Sequence, residues 1–150
     1  MKFQFIFDHA PQRIQDMFLE LSQLRERPDF HPEESAAKHI EIVTDRCIAM
    51  DNANLIMTGF FHDLFKAKTA RLNPKNGFPT CPGHDTMCER FINENEEAQA
   101  FIKSFKANPE VILNVILAFL QKLSISTKYS TTSFGNDFKI LRALESATIP

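Results

Sequence analysis

Apolar side chains recur every three or four positions along almost the whole chain, in runs that open at one proline and close before the next. That period matches the helical turn rather than the two-residue alternation of a half-buried strand, so the pattern predicts an all-α fold. Pro11 suits the first position of a helix. Ile14, Phe18, Leu21 and Leu24 then follow at spacings of four, three and three, with a stop expected near Arg27 ahead of Pro28. His31-Pro32-Glu33-Glu34 reads as a second start, with two acids at the positive end of the helix dipole. Its apolar face runs Ala36, Ile40, Val43, Cys47, Met50. Asp51 to Asn54 reads as a connector, Leu55 to Phe65 as a short apolar helix, and His84 to Phe105 as one long helix. On that long helix Cys88, Phe91, Ile92, Ala98 and Phe101 or Phe105 face inward.

Asn108-Pro109-Glu110 is the clearest helix start: cap, proline, acid. Val111 to Leu123 is apolar on almost every side and predicts the central buried helix. A Ser/Thr-rich connector from Ser124 to Ser133 leads to a last helix, Phe134 to Ala147, with Phe138, Leu141 and Leu144 inward. Two stretches depart from the helical pattern. Phe3, Phe5 and Phe7 alternate, which predicts a short extended lead-in. Residues 66–83 carry Pro74, Gly77, Pro79, Pro82 and Gly83 and predict a long loop with one extra turn of helix. Such loops are uncommon in compact domains and often functional. The sum is a bundle of about five to seven helices, residues 1–150 forming a single domain. A chain of 150 residues is long enough to bury roughly two-thirds of its unfolded surface.

Charge narrows the function classes. Seventeen basic and nineteen acidic side chains leave a formal net charge of −2, unlike the strongly basic domain of a dedicated nucleic-acid binder. No apolar run approaches the roughly 18–20 residues of a membrane span. The opening Met1-Lys2-Phe3-Gln4-Phe5-Ile6-Phe7 meets Asp8 too soon for the apolar core of a signal peptide. Cys47, Cys81 and Cys88 are too few and odd in number for a disulfide framework, so a cytoplasmic location is expected.

The histidines carry the chemistry. His39 flanks the apolar stripe of its helix, three positions after Ala36 and four before Val43, so its ring can point inward. By itself such a residue reads more readily as a core-edge histidine bonded to a backbone carbonyl than as a ligand. Gly59, His62, Asp63 and Lys66 share one side of the next helix, with Gly59 leaving room for a metal and its ligands. Two imidazoles and a carboxylate suit a divalent transition metal with open positions for water and substrate. Such an ion lowers the pKa of bound water and polarises a phosphoryl oxygen. His84 reads as a further site histidine or simply a helix start, His31 as a helix cap and His9 as a surface residue. A small zinc site of Cys81, His84 and Cys88, with Cys47 as a fourth ligand, has no recognised spacing. Between Asp63 and Asp85 there is no acid, while Lys66, Lys68, Arg71 and Lys75 all fall there. That local positive segment is suited to a phosphate and too small to track a long polynucleotide.

The order of these residues adds to their identity. His31-Pro32-Glu33, His39, then Gly59-Phe60-Phe61-His62-Asp63-Leu64-Phe65-Lys66, then Pro82-Gly83-His84-Asp85 resembles the HD superfamily of metal-dependent phosphohydrolases. The pattern is most similar to the HD region of bacterial tRNA nucleotidyltransferases (CCA-adding enzymes), over about residues 30–92. The resemblance implies an HD-domain helical bundle in which His39, His62 and Asp63 bind a divalent ion (Mn, Co, Ni, Fe, Zn or Mg). It implies Lys66 as a phosphate contact and His84, backed by Asp85, as a further histidine at the site. Three positions depart from the family. Phe119 stands near a histidine of the two-metal members, Ala147-Thr148 replaces an Ala-Asp pair, and Phe65 replaces a glycine. Asp137, at the start of the last helix, reads as a first-turn acid favoured by the helix dipole or as a substitute for the missing aspartate ligand. The implied activity is hydrolysis of a small phosphorylated substrate, a nucleotide or cyclic phosphodiester, by a chain that can pair as a homodimer. The rival expectation is a degenerate HD module that binds a nucleotide or a protein partner without turning it over.

Overall fold

The structure, a computed structural model, describes residues 1–29 and 31–120, with backbone alone at 118–120. It is an all-α bundle. Among the described residues there are eight helices: α1 (Phe3–His9), α2 (Gln12–Ser22), α3 (Ala36–Ala49), α4 (Ala53–Phe61), α5 (Lys66–Thr69), α6 (His84–Glu94), α7 (Glu96–Ser104) and α8 (Pro109–Leu120). A two-stranded antiparallel hairpin joins α5 to α6, with β1 (Arg71–Leu72) paired to β2 (Pro79–Thr80). The expected helix from Phe134 to Ala147, its inward residues and Asp137 lie outside the described residues.

The N-terminal phenylalanines form a helix, not an extended segment. Phe3, Ile6 and Ala10 are buried at helical spacing while Phe5 is half exposed, so the alternation of Phe3, Phe5 and Phe7 does not mark two faces. The Phe3 amide, one of the unpaired donors of a helix start, donates to Asp45 Oδ1 of α3 at 2.7 Å. Pro11 caps α2 rather than opening it, and α2 stops at Ser22, earlier than Arg27. Ser35, not His31-Pro32, starts α3: its hydroxyl accepts from the Lys38 amide at 3.2 Å. The connector from Gln23 to Ser35 is thereby left free to fold back beside α3.

Among the described residues the fully enclosed helix is α4, not α8. Every residue from Leu55 to Phe61 is buried, with α3 on one side and α8 on another. On α8, Asn114 and Glu110 face outward while Ile112, Leu113, Val115 and Ile116 face the core. The rings of Phe3, Phe18, Phe60, Phe61 and Phe101 meet at 5.0–6.2 Å centroid spacing in edge-on and tilted pairs. The expected long helix from His84 to Phe105 is two. Asn95 leaves the helical region (φ −109°, ψ 104°), and its side chain caps α7 by accepting from the Ala98 amide at 2.8 Å.

Residues 66–83 are more ordered than a plain loop. α5 supplies one turn. Arg71 then faces Thr80 and Leu72 faces Pro79, with Gly77 at φ +73° closing the turn through a bond to the Asn73 carbonyl. The hairpin carries the chain away from α5 and returns it to the start of α6.

Candidate metal centre

The end of α4 sets the site. α4 ends at Phe61, with the His62 amide still bonded to the Thr58 carbonyl, and the chain continues through i to i−3 bonds, Leu64 to Phe61, Lys66 to Asp63 and Lys68 to Phe65. This tightened turn, shorter than the expected helix to Phe65, brings His62, Asp63 and Lys66 to the same buried cluster. Gly59 does not share that role. A Cβ there would lie 3.0 Å from Cys47 Sγ and 3.4 Å from Thr44 Cα, so its missing side chain lets α3 and α4 approach. What Gly59 gives the site is its carbonyl, which accepts from His62 Nδ1 at 2.7 Å.

Four segments contribute. α3 brings His39, the turn after α4 brings His62 and Asp63, α6 brings His84 and Asp85, and the α2–α3 connector brings Glu26, His31 and Glu33. His39, His62 and Asp63 each present one ligand atom within 4.8 Å of the others, all three residues being buried. His39 Nε2 lies 3.7 Å and His62 Nε2 3.3 Å from Asp63 Oδ2. The opposite ring nitrogens are engaged: His39 Nδ1 donates to Glu33 Oε1 at 3.1 Å and His62 Nδ1 to the Gly59 carbonyl. With both Nδ1 atoms engaged there, Nε2 is the nitrogen each ring turns toward Asp63, the orientation that metal-ligating histidines use.

His84 is held the same way at Nδ1, by the Cys81 carbonyl at 2.7 Å, but its Nε2 sits against two carboxylates. Asp63 Oδ1 is 3.1 Å away and Asp85 Oδ1 2.9 Å. The two imidazoles diverge. Burial, with the His62 charge next, pulls His39 below its ordinary value and keeps it neutral, despite the opposing Asp63 charge. At His84 burial acts downward too, yet the bonds to Asp63 and Asp85 win and push it up to about 10. His39 thus offers a neutral imidazole and His84 a charged one.

Asp63 is the hub. Burial would raise its pKa, but the His62 and Lys66 charges and the bonds from His62 and His84 hold it well below the usual carboxylate range. Lys66 was expected to meet substrate phosphate; the structure buries it. Its Nζ lies 2.7 Å from both Asp63 Oδ2 and Glu26 Oε1, and those carboxylates overcome burial to raise its pKa. The carboxylates of the cluster, Asp63 and Glu26 on Lys66, Asp85 on His84 and Glu33 on His39, outnumber the Lys66 and His84 cations, an excess of negative charge that a divalent cation would offset. The donor set and this charge fit such an ion.

Sequence reasoning missed Glu26 altogether and misjudged His31. No cap, His31 packs edge-on against His39 with centroids 4.7 Å apart. The Pro-Glu that follows it was the available signal, and the structure gives Glu33 the work of orienting His39. His9 is exposed, its Nδ1 donating to the Phe5 carbonyl. The cysteine alternative gains no support, since no cysteine belongs to either group of described residues placed to hold a metal. Cys88 donates to the Phe61 carbonyl, and burial pushes its thiol well up. The positive segment is partly answered: Lys68 pairs with Glu20 at 2.6 Å. Lys68, Arg71 and Arg90 still line an open groove of about 500 Å³ that reaches Gly83, the residue before His84. Phe65 is buried, its ring packed against Phe91 with centroids 5.2 Å apart.

Compared with known proteins, the chain matches no protein-family model, no curated protein and no solved structure.

Proposed function

We propose that this chain is a divalent-metal-dependent phosphohydrolase of the HD type, acting in the cytoplasm on a nucleotide or cyclic phosphodiester. One observation carries the reading: His39, His62 and Asp63 converge from two elements, with Nδ1 of both imidazoles engaged elsewhere and Nε2 facing Asp63. Bound there, a divalent ion supplies an activated water and polarises a phosphoryl oxygen. The chain's own groups supply the rest. His84, protonated and fixed by Asp85 and the Cys81 carbonyl, offers a positive charge and an Nε2 proton for a phosphate or leaving oxygen. Lys66 holds the Asp63 carboxylate in place rather than reaching substrate. The groove of Lys68, Arg71 and Arg90 attracts the phosphate toward the start of α6.

The test is a turnover screen of the full chain on nucleotides and cyclic nucleotides with Mn²⁺, Co²⁺, Ni²⁺ or Mg²⁺. Metal-stimulated phosphate release or ring opening is expected. Asp63→Asn, checked for folding by circular dichroism, should lower it by at least about a hundredfold, because changes one shell further out alone cost 10–100-fold. Metal-bound protein with no turnover on any of these substrates overturns the reading. A second reading, a module that binds without catalysis, is favoured by the Lys66 pairing with Asp63 and Glu26, which satisfies much of the cluster without any ion. Nucleotide binding by metal-free protein would select it.

A further inference from the structure

We propose a second cation site, separate from the first centre, formed by Glu26, His31 and Glu33 in the α2–α3 connector. Three polar atoms there, Glu26 Oε2, His31 Nδ1 and Glu33 Oε2, are shut off from solvent and make no hydrogen bond. Burying such atoms unpaired is costly. They also face one another. His31 Nδ1 is 3.8 Å from Glu26 Oε2 and 3.9 Å from Glu33 Oε2, beyond hydrogen-bond reach. A tetrahedral ion with bonds near 2.1 Å sets its ligands about 3.4 Å apart, so each carboxylate oxygen needs to come about half an ångström closer to His31 Nδ1, and the two glutamates need to close on each other as well.

The glutamates are held for this. Glu26 uses Oε1 on Lys66 at 2.7 Å, and Glu33 uses Oε1 on His39 at 3.1 Å, leaving Oε2 of each turned to His31. Their side chains are only 10% and 7% exposed. One imidazole and two carboxylates form a mixed nitrogen and oxygen set suited to Zn²⁺, Co²⁺ or Mn²⁺. His31, Glu33 and His39 also offer ligand atoms within 4.8 Å of one another. Since His39 Nδ1 is engaged by Glu33, the third ligand is Glu26. Glu33 would then touch both sites, and an ion on its Oε2 would weaken its hold on the His39 proton. The binding claim stands apart from the first centre; only this coupling rests on the function proposed above.

The test is the number of Co²⁺ ions bound by the full chain, from calorimetric titration and metal analysis. His31→Phe keeps the edge contact with His39 and removes Nδ1. Glu33→Gln keeps an acceptor for His39 and replaces Oε2. Wild type should bind two ions, and His31→Phe, Glu33→Gln and Asp63→Asn one each. If the first centre is misread and this one is right, wild type binds one ion, which Asp63→Asn keeps and His31→Phe loses. Equal numbers in wild type and His31→Phe overturn the proposal, as does wild-type protein that binds none. Should His31→Phe fail to fold, the His31 ring protons of Asp63→Asn decide: with the first centre removed, Co²⁺ must still shift them strongly, and unshifted protons overturn the proposal.

Discussion

His39 and His84 are the same residue type in one cluster, and their neighbours drive them in opposite directions. The metal-free protein should show this in its pH dependence. A base whose pKa rises on folding stabilises while protonated, so the His84 contribution is complete below about 6.5 and fades as pH climbs through about 10. Asp63 runs the other way: its contribution is full above about 3.8 and is lost as pH falls through its lower folded value. The urea midpoint of the wild type with chelator present should exceed that of His84→Gln at pH 6, with the gap closing by about pH 10; a constant gap refutes the assignment. At this scale the sequence was informative about identity and poor on contacts. His39, His62, Asp63, His84 and Asp85 do meet. Lys66 and Gly59 have other work, because a spacing of three or four residues gives a face and not the partner across from it. Glu26 could not be found, since its role depends on how a non-helical connector folds back.

Among the elements, the α3–α4 contact is the one that the site depends on most, because it sets His39 against His62. Gly59 is where the helices approach. Gly59→Ala should cost about 1–3 kcal/mol by overpacking against Cys47 Sγ and the Thr44 backbone. Adding Cys47→Ala should recover only part of that loss in chemical denaturation, since the Thr44 contact remains. Apart from α1, whose alternating phenylalanines read as extended, helix existence was legible from periodicity, and ends were not. Asn95 followed by Glu96 and Glu97 is a cap with two first-turn acids, yet the apolar period crosses it without a break. The α4 end at Phe61 carries no proline or glycine signal; tertiary contacts of His62 and Asp63 tighten the turn. The hairpin was hidden by its shortness, two residues per strand.

For the whole molecule, the cluster draws together the α2–α3 connector, α3, the turn after α4 and the start of α6, segments far apart along the chain. A ligand that binds only this folded arrangement stabilises it by mass action. Co²⁺ at a hundredfold above its dissociation constant should add about 2.7 kcal/mol per site, raising the melting temperature by roughly 5–11 °C. Excess chelator should reverse the shift. No described helix is long and apolar enough to cross a membrane, which agrees with the absence of a long apolar run. The Lys66 ammonium, clasped by Asp63 and Glu26, has a consequence for how any ion is taken up. The apo protein already carries a monovalent charge of its own on Asp63 Oδ2, so a dication ligated by that carboxylate would share it with a tethered neighbour that can never diffuse away.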